Sequence, residues 1–299
     1  MASVKYGHSS RKWNVILPFV ALAIWAALPA NARAQESDST VTSVSSAPAI
    51  PPAIDVWHGP TQSFGAVGTP QRDANIHGHV SGPLNSFSYS LNGGPARQLS
   101  TGPDTRRLSR DGDFTIDLRY AELLQGSNTV QIVATSDQDE LSQTTVQVQN
   151  QSGAIWPMPY ALSWGSSTSL QDSAQVVDGK WSVVSGGARV MEPGYDRMIA
   201  IGDTSWGDYE ITVEVTVQSI DSTAEAFDPI SAGPGVGIIM RWEGHTDTPS
   251  FTPPIVQPRS GYLPLGALGW YHWRTGFGSA DPNRWELLGD GLALRNESS

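Results

Sequence analysis

The chain contains no cysteine. That excludes disulfide cross-links and a lipid-modified cysteine, so stability has to come from a buried core alone. Basic residues are scarce as well: 18 Lys and Arg face 29 Asp and Glu, a formal charge of -11 at neutral pH. A surface of that sign repels nucleic acid and anionic membranes, and it disfavours polyanionic glycans unless a local basic patch overrides it. The apolar run 15–28 is interrupted by Pro18 and falls short of the roughly 20 residues needed to cross a bilayer. There is no glycine-rich phosphate loop, no Cys and His cluster with metal-ligand spacing, and no nucleophile elbow. No cofactor, no metal site and no assigned catalytic residue are therefore expected.

What is present begins with a leader. Residues 1–34 carry Lys5, Arg11 and Lys12, then the apolar run, then a small-residue exit at Ala32-Arg33-Ala34. These are the three regions of a secretory signal peptide, with cleavage expected after Ala34 and a secreted or periplasmic destination. Its removal leaves 14 Lys and Arg against 29 Asp and Glu, which moves the formal charge from -11 to -15. Residues 35–53 are dominated by Ser, Thr, Ala and Pro. That composition cannot bury enough apolar surface to offset chain entropy, so it reads as a disordered linker.

From 54 to 152, short alternating apolar runs are punctuated by Gly, Pro and Asn, the spacing of an all-β sandwich. Strands are expected at 54–58, 74–80, 86–91, 96–99, 114–119, 129–136 and 143–149. Asn92-Gly93-Gly94 signals a hairpin, because Asn and Gly accept positive φ. His77 and His79 stand two apart on one strand face, and without a third ligand they are expected to face solvent rather than share a metal. The segment from Leu123 through Gly126-Ser127-Asn128 to Ala134, closed by 143–148, resembles the entry to the penultimate strand of bacterial immunoglobulin-like domains. That resemblance implies a module that spaces or presents another domain.

A second domain is expected from 155 to 299, opened by an extended Pro157 and Pro159 junction. Its clearest strand is 209–217, where Tyr209, Ile211, Val213, Val215 and Val217 share one face and Glu210, Thr212, Glu214 and Thr216 the other. Such alternation predicts an antiparallel sheet with one buried side. Asp178-Gly179-Lys180-Trp181, 202–210 and 235–242 together resemble the concanavalin A-like (laminin G or glucanase-type) jelly-roll superfamily. The resemblance implies a jelly-roll β-sandwich that binds or processes carbohydrate. The chain departs from that family in lacking Glu-x-Asp-x-x-Glu, the glucanase carboxylate strand, and the Gln-x-His strand of its alginate lyases. It also has room for about nine strands where complete members carry a dozen or more, so the jelly roll reads either as truncated or as a reduced sandwich.

Eight of the eleven tryptophans lie between Trp156 and Trp285. Indole stacks on the apolar face of a pyranose, and it is equally a large core filler. In 236–243 the alternation sets Arg241 and Glu243 on one face, a polar pair for sugar hydroxyls or a structural ion pair, with His245 beyond the turn. In 265–274, Leu268, Trp270, His272 and Arg274 oppose Ala267, Gly269, Tyr271 and Trp273. The ligand-binding residues expected from this pattern are Arg241, Glu243, His245, Arg259, Tyr262, Trp270, His272 and Arg274. The acids Asp203, Asp208, Asp221, Glu225 and Asp228 lack the spacing of a calcium loop and read as solvated.

The function expected is recognition of a polysaccharide or cell-surface glycan by a secreted protein with no membrane span after signal cleavage. Two alternatives use the same residues. In a polysaccharide lyase, His272 takes a proton, Arg241 or Arg259 neutralises a carboxylate and Tyr262 donates; in a glycoside hydrolase, Glu243 and Glu286 form the pair. In a third, an adhesive or structural module, every aromatic ring is core.

Overall fold

The computed structural model describes residues 50–104, 106–154, 156–166, 169–194, 197–219, 235–246, 257–261, 266–273 and 283–289. The leader and most of the linker lie outside these residues. The regular elements among the described residues are fifteen strands and three single turns of 3-10 helix, so the chain is all-β.

The first eight strands are β1 (Ala53–Val56), β2 (Thr61–Phe64), β3 (Asp73–Ser81), β4 (Ser86–Leu91), β5 (Arg97–Gln98), β6 (Asp113–Arg119), β7 (Gly126–Thr135) and β8 (Leu141–Asn150). They form a five-stranded sheet, β2-β8-β7-β4-β5, and a three-stranded sheet, β1-β3-β6. Period-two patterning decides the packing: Phe87, Tyr89 and Leu91 of β4, Val130, Ile132 and Ala134 of β7, and Phe114, Ile116 and Leu118 of β6 all enter one buried cluster. Seven of these strands match the expected ones to within a few residues. The short β2, which pairs parallel to β8, lies between two of them.

Local chemistry explains two sequence signals. Asn92 and Gly93 both take positive φ, 51° and 71°, at the β4 turn, and the Gly94 N–H donates to the Leu91 carbonyl at 2.9 Å. The Gly126-x-Asn128 motif works through a buried side chain. Asn128 Oδ1 accepts from the Leu124 N–H at 2.8 Å and its Nδ2 donates back to the Leu124 carbonyl at 2.7 Å, which closes the loop into β7.

The outer face of the three-stranded sheet departs from expectation. Alternation puts Asp73, Asn75, His77, Thr115 and Asp117 there, where an antiparallel sheet normally meets water. All five are buried, because β9 (Gln175–Asp178) and the segments around His245 and Gln257 lie across them. His77 is thus not solvent-facing. It is 1% exposed, with Nε2 2.8 Å from the Val177 carbonyl, while His79 stays partly open and contacts Asp113.

The remaining strands form small sheets. β9 pairs with β12 (Met198–Ala200), and β10 (Trp181–Val184) with β11 (Gly187–Val190). β13 (Gly235–Met240), β14 (Ala267–Trp273) and β15 (Asn283–Gly289) make an antiparallel three-stranded sheet. Two strand expectations need correction. Residues 209–217 are in no strand, and β13 ends at Met240 because Arg241 turns to φ 59°. That turn breaks the period-two step that would have made Arg241 and Glu243 neighbours on one face.

Candidate functional site

Among the described residues, the most densely bonded group of ionisable side chains is interior. Arg107, from the loop before β6, reaches between the two halves of the fold with its side chain fully buried. It donates to both Asp117 oxygens, at 2.7 and 3.0 Å, to Asp178 through Nε, and to the Arg259 carbonyl at 2.6 Å. His245 Nε2 lies 2.8 Å from the other Asp178 oxygen, which identifies that nitrogen as the protonated one. Asp117 also accepts from Asn75 and from the Arg259 N–H, both at 2.8 Å. Asp73 bonds Arg119 at 3.1 Å. Three arginines thus balance three aspartates.

The titration behaviour follows from this wiring. Burial by itself would raise the Asp178 carboxyl, but Arg107 and His245 outweigh it and hold it below the ordinary value. Asp117 is held far down in the same way, chiefly by Arg107 against the cost of burial. Asp73 goes the other way, pushed up to about 6 by burial and by the Asp117 charge despite three arginines nearby. Burial lowers His77 to about 4. The Asp178 and His245 pair has the spacing of a catalytic dyad, yet their side chains are 0% and 1% exposed. Closed off from solvent in this way, the cluster acts as an ionic clasp.

This decides the position of two of the eight residues singled out in the sequence: His245 and Arg259 belong to the interior clasp. Arg241 and Glu243 are exposed, and the Glu243 carbonyl accepts from the Arg72 backbone N–H at 3.0 Å and from Arg72 Nε at 3.1 Å. Trp270 is half-buried on β14, its backbone opposite Gly237 and Glu286. A Cβ on Gly237 would come within 2.3 Å of the Trp270 Cβ, so only glycine fits there. His272 lies on β14 opposite Gly235 and Arg284, with its side chain outside the described residues. Tyr262, Arg274 and the loop acids Asp221, Glu225 and Asp228 also lie outside them.

What the sequence reading missed is a surface run of aromatic rings built from distant segments. Trp156 meets Tyr160 edge to face at 5.4 Å, Tyr160 meets Trp206 at 6.0 Å, and Trp206 meets Tyr209 at 6.2 Å. All four rings are half-buried, so each keeps part of its surface in water. Trp206 is anchored by its indole N–H, which donates to the Trp156 carbonyl at 2.7 Å. It lies against Gly202, where φ is 112° and a Cβ would come within 2.7 Å of the ring. Asp203 fixes the same loop by accepting from the Thr69 and Ser205 N–H groups, each at 2.9 Å. Partial burial would raise its carboxyl, but those hydrogen bonds prevail and hold it low. Asp203 is therefore a turn-forming residue. The signal available in the sequence was aromatic density near Pro157, Pro159 and Gly202, but ring contacts across 50 residues have no local pattern.

Among the described residues no group of three or more His, Asp or Glu is arranged to hold a metal, and no helix is long and apolar enough to cross a membrane.

No protein-family profile and no curated relative matches the chain. Among solved structures it is similar to fibronectin(III)-like modules of CbhA from Clostridium thermocellum, at 13% identity over 33% of this chain and 98% of that one, with a TM-score of 0.21. It is likewise similar to CopC from Methylosinus trichosporium OB3b, at 14% identity over 34% and 95% of the two chains, with a TM-score of 0.23.

Proposed function

We propose that this is an exported carbohydrate-binding protein, with an immunoglobulin-like sandwich carrying a concanavalin A-like region, and that the run Trp156, Tyr160, Trp206 and Tyr209 is its sugar-facing surface. The single observation that carries this reading is the run itself: four rings held by specific contacts and left half-exposed, where a core would have covered them. Aromatic faces bind the apolar side of a pyranose, while the tyrosine hydroxyls supply polar handles. Successive rings are tilted by 69°, 49° and 64°. Such a twisted surface suits a single flexible glycan chain better than a flat crystalline one. The acidic balance of the chain favours a neutral polysaccharide. The leader at residues 1–34 supports a secreted or periplasmic location.

Affinity electrophoresis tests this. The mature protein should be retarded in gels containing soluble neutral polysaccharides and run unretarded through polyuronate. Tyr160→Ala should abolish most of the retardation with only a modest loss of stability, since that ring is half-buried. If Tyr160→Ala and Trp206→Ala both bind like the parent while Trp270→Ala does not, the β14 face is the site instead. No retardation in any neutral glycan would overturn the function.

A further inference from the structure

On the reading that the aromatic run faces sugar, we propose that the turn 65–70 of the first sandwich is the template that positions its rings, and that sugar binding is coupled to the order of this turn. The turn follows β2 and is closed by a bridge between Gly65 and Gly68. Both glycines hold positive φ, 87° and 91°, and each has another segment packed against it. A Cβ on Gly65 would come within 2.5 Å of the Ser152 nitrogen, where the chain leaves β8. A Cβ on Gly68 would collide with the Gly202 carbonyl oxygen and stand 3.5 Å from the Trp156 Cβ. The chain therefore quits the sandwich beside one end of the turn and sets its first ring, Trp156, beside the other. Thr69 completes the seat: its N–H donates to Asp203 at 2.9 Å and its carbonyl accepts from the Thr204 N–H at 2.9 Å.

The rings depend on this seat because no sheet ladder holds them. Trp156, Tyr160, Trp206 and Tyr209 are all outside strands. Trp156 stands beside Gly68, Trp206 lies against Gly202, and the Trp206 indole N–H on the Trp156 carbonyl ties the two together. Gly202 is thus clamped from both sides, by the Gly68 turn against its carbonyl and by the Trp206 ring against its α-carbon. Tyr160 meets both tryptophans and Tyr209 meets Trp206, so the tilt of every ring follows from where the two indoles are held. A sugar laid across the rings restricts their motion, and through Gly202 and Asp203 it restricts the backbone of the turn beneath. Linkage makes the coupling reciprocal, so loosening the turn weakens sugar binding. The first sandwich therefore takes part in recognition, where a mere spacer would leave the rings indifferent to changes in its loops.

The full chain labelled with 5-fluorotryptophan tests this, its resonances assigned by replacing each Trp with Phe in turn. Gly68→Ala should shift the Trp156 and Trp206 fluorine resonances and leave those of Trp57 and Trp181 in place as markers of a folded chain. Asp203→Ala changes only a partly exposed carboxylate. It should shift the Trp206 resonance and make the Thr69 amide exchange hydrogen at least tenfold faster, and it is the deciding variant if Gly68→Ala fails to fold. Whichever of hydroxyethylcellulose, xyloglucan and galactomannan retards the parent should, at saturation, slow exchange of the Thr69 and Thr204 amides at least threefold. Both variants should need at least tenfold more of that polysaccharide for equal retardation. Trp156 and Trp206 resonances unmoved in the folded variants would overturn the template. Sugar binding that leaves the Thr69 and Thr204 amides unchanged would overturn the coupling. If none of the three polysaccharides retards the parent, the sugar reading and the coupling fall together, while the fluorine shifts still support or overturn the positioning role of the turn.

Discussion

Arg107 and Asp178 are 71 residues apart in the chain and joined in its interior, with both side chains fully buried. The contact couples the loop before β6 to the end of β9, so the first sandwich and the strands that follow it share one ionic clasp. A buried pair of this sort is costly to half-dismantle, because removing one partner leaves the other charged and unsolvated.

Arg107→Ala should accordingly cost about 3–5 kcal/mol, since it strips Asp117 and Asp178 of their main counter-charge. Arg107→Lys should recover little of this. An ammonium cannot reproduce the two-pronged contact with Asp117 together with the Nε contact to Asp178. Urea unfolding of the three proteins at neutral pH measures both effects.

His77 and Asp73 should tilt the pH dependence of stability in opposite directions. The native His77 binds its proton only near pH 4, against an ordinary value of 6.5, so acidification through that window charges the unfolded chain first and stability is lost. Asp73, raised to about 6 from 3.8, takes its proton in the native state first, so acidification from about 6 to 4 adds stability. His77→Gln should therefore be less sensitive to acid than the parent between pH 7 and 4.5, and Asp73→Asn more sensitive. Urea midpoints across that range decide the matter.

Gly202→Ala should displace Trp206. The added methyl meets the indole at 2.7 Å at a backbone φ of 112°, which alanine adopts only under strain. The expected signature is a red shift of tryptophan emission together with loss of polysaccharide retardation, with the first sandwich remaining folded by circular dichroism.

Asn128→Ala should cost about 1–3 kcal/mol by leaving the Leu124 N–H and carbonyl without their partner. Asn128→Asp should recover only the accepting half of that interaction. Thermal melts of the two variants give the comparison.

The first sandwich was legible because its chemistry is local. β3, β4, β6, β7 and β8 alternate cleanly, and Asn92-Gly93 and Gly126-x-Asn128 announce turns through positive φ and a side chain that bonds four residues back. β2 was harder to read, being four residues long and paired in parallel to a strand far along the chain. The alternation of 209–217 predicted a strand that the structure does not contain, because pairing needs a partner edge and sequence alternation does not supply one. Arg259 and His245 looked like groove residues because charged and imidazole groups near tryptophans usually are. Their burial depends on carboxylates from β6 and β9 that no spacing rule connects to them.

By itself, the sequence determined an all-β chain, its strand faces, its tight turns, its acidic balance and its freedom from disulfides, because each of these follows from side-chain type and short-range periodicity. The tertiary structure alone decided that a sheet face patterned for water is roofed over, that three arginines and three aspartates meet inside it, and that rings from residues 156 to 209 meet at the surface. Those outcomes depend on which distant surfaces come together, and burial changes the meaning of a charge or a ring more than its neighbours in sequence do.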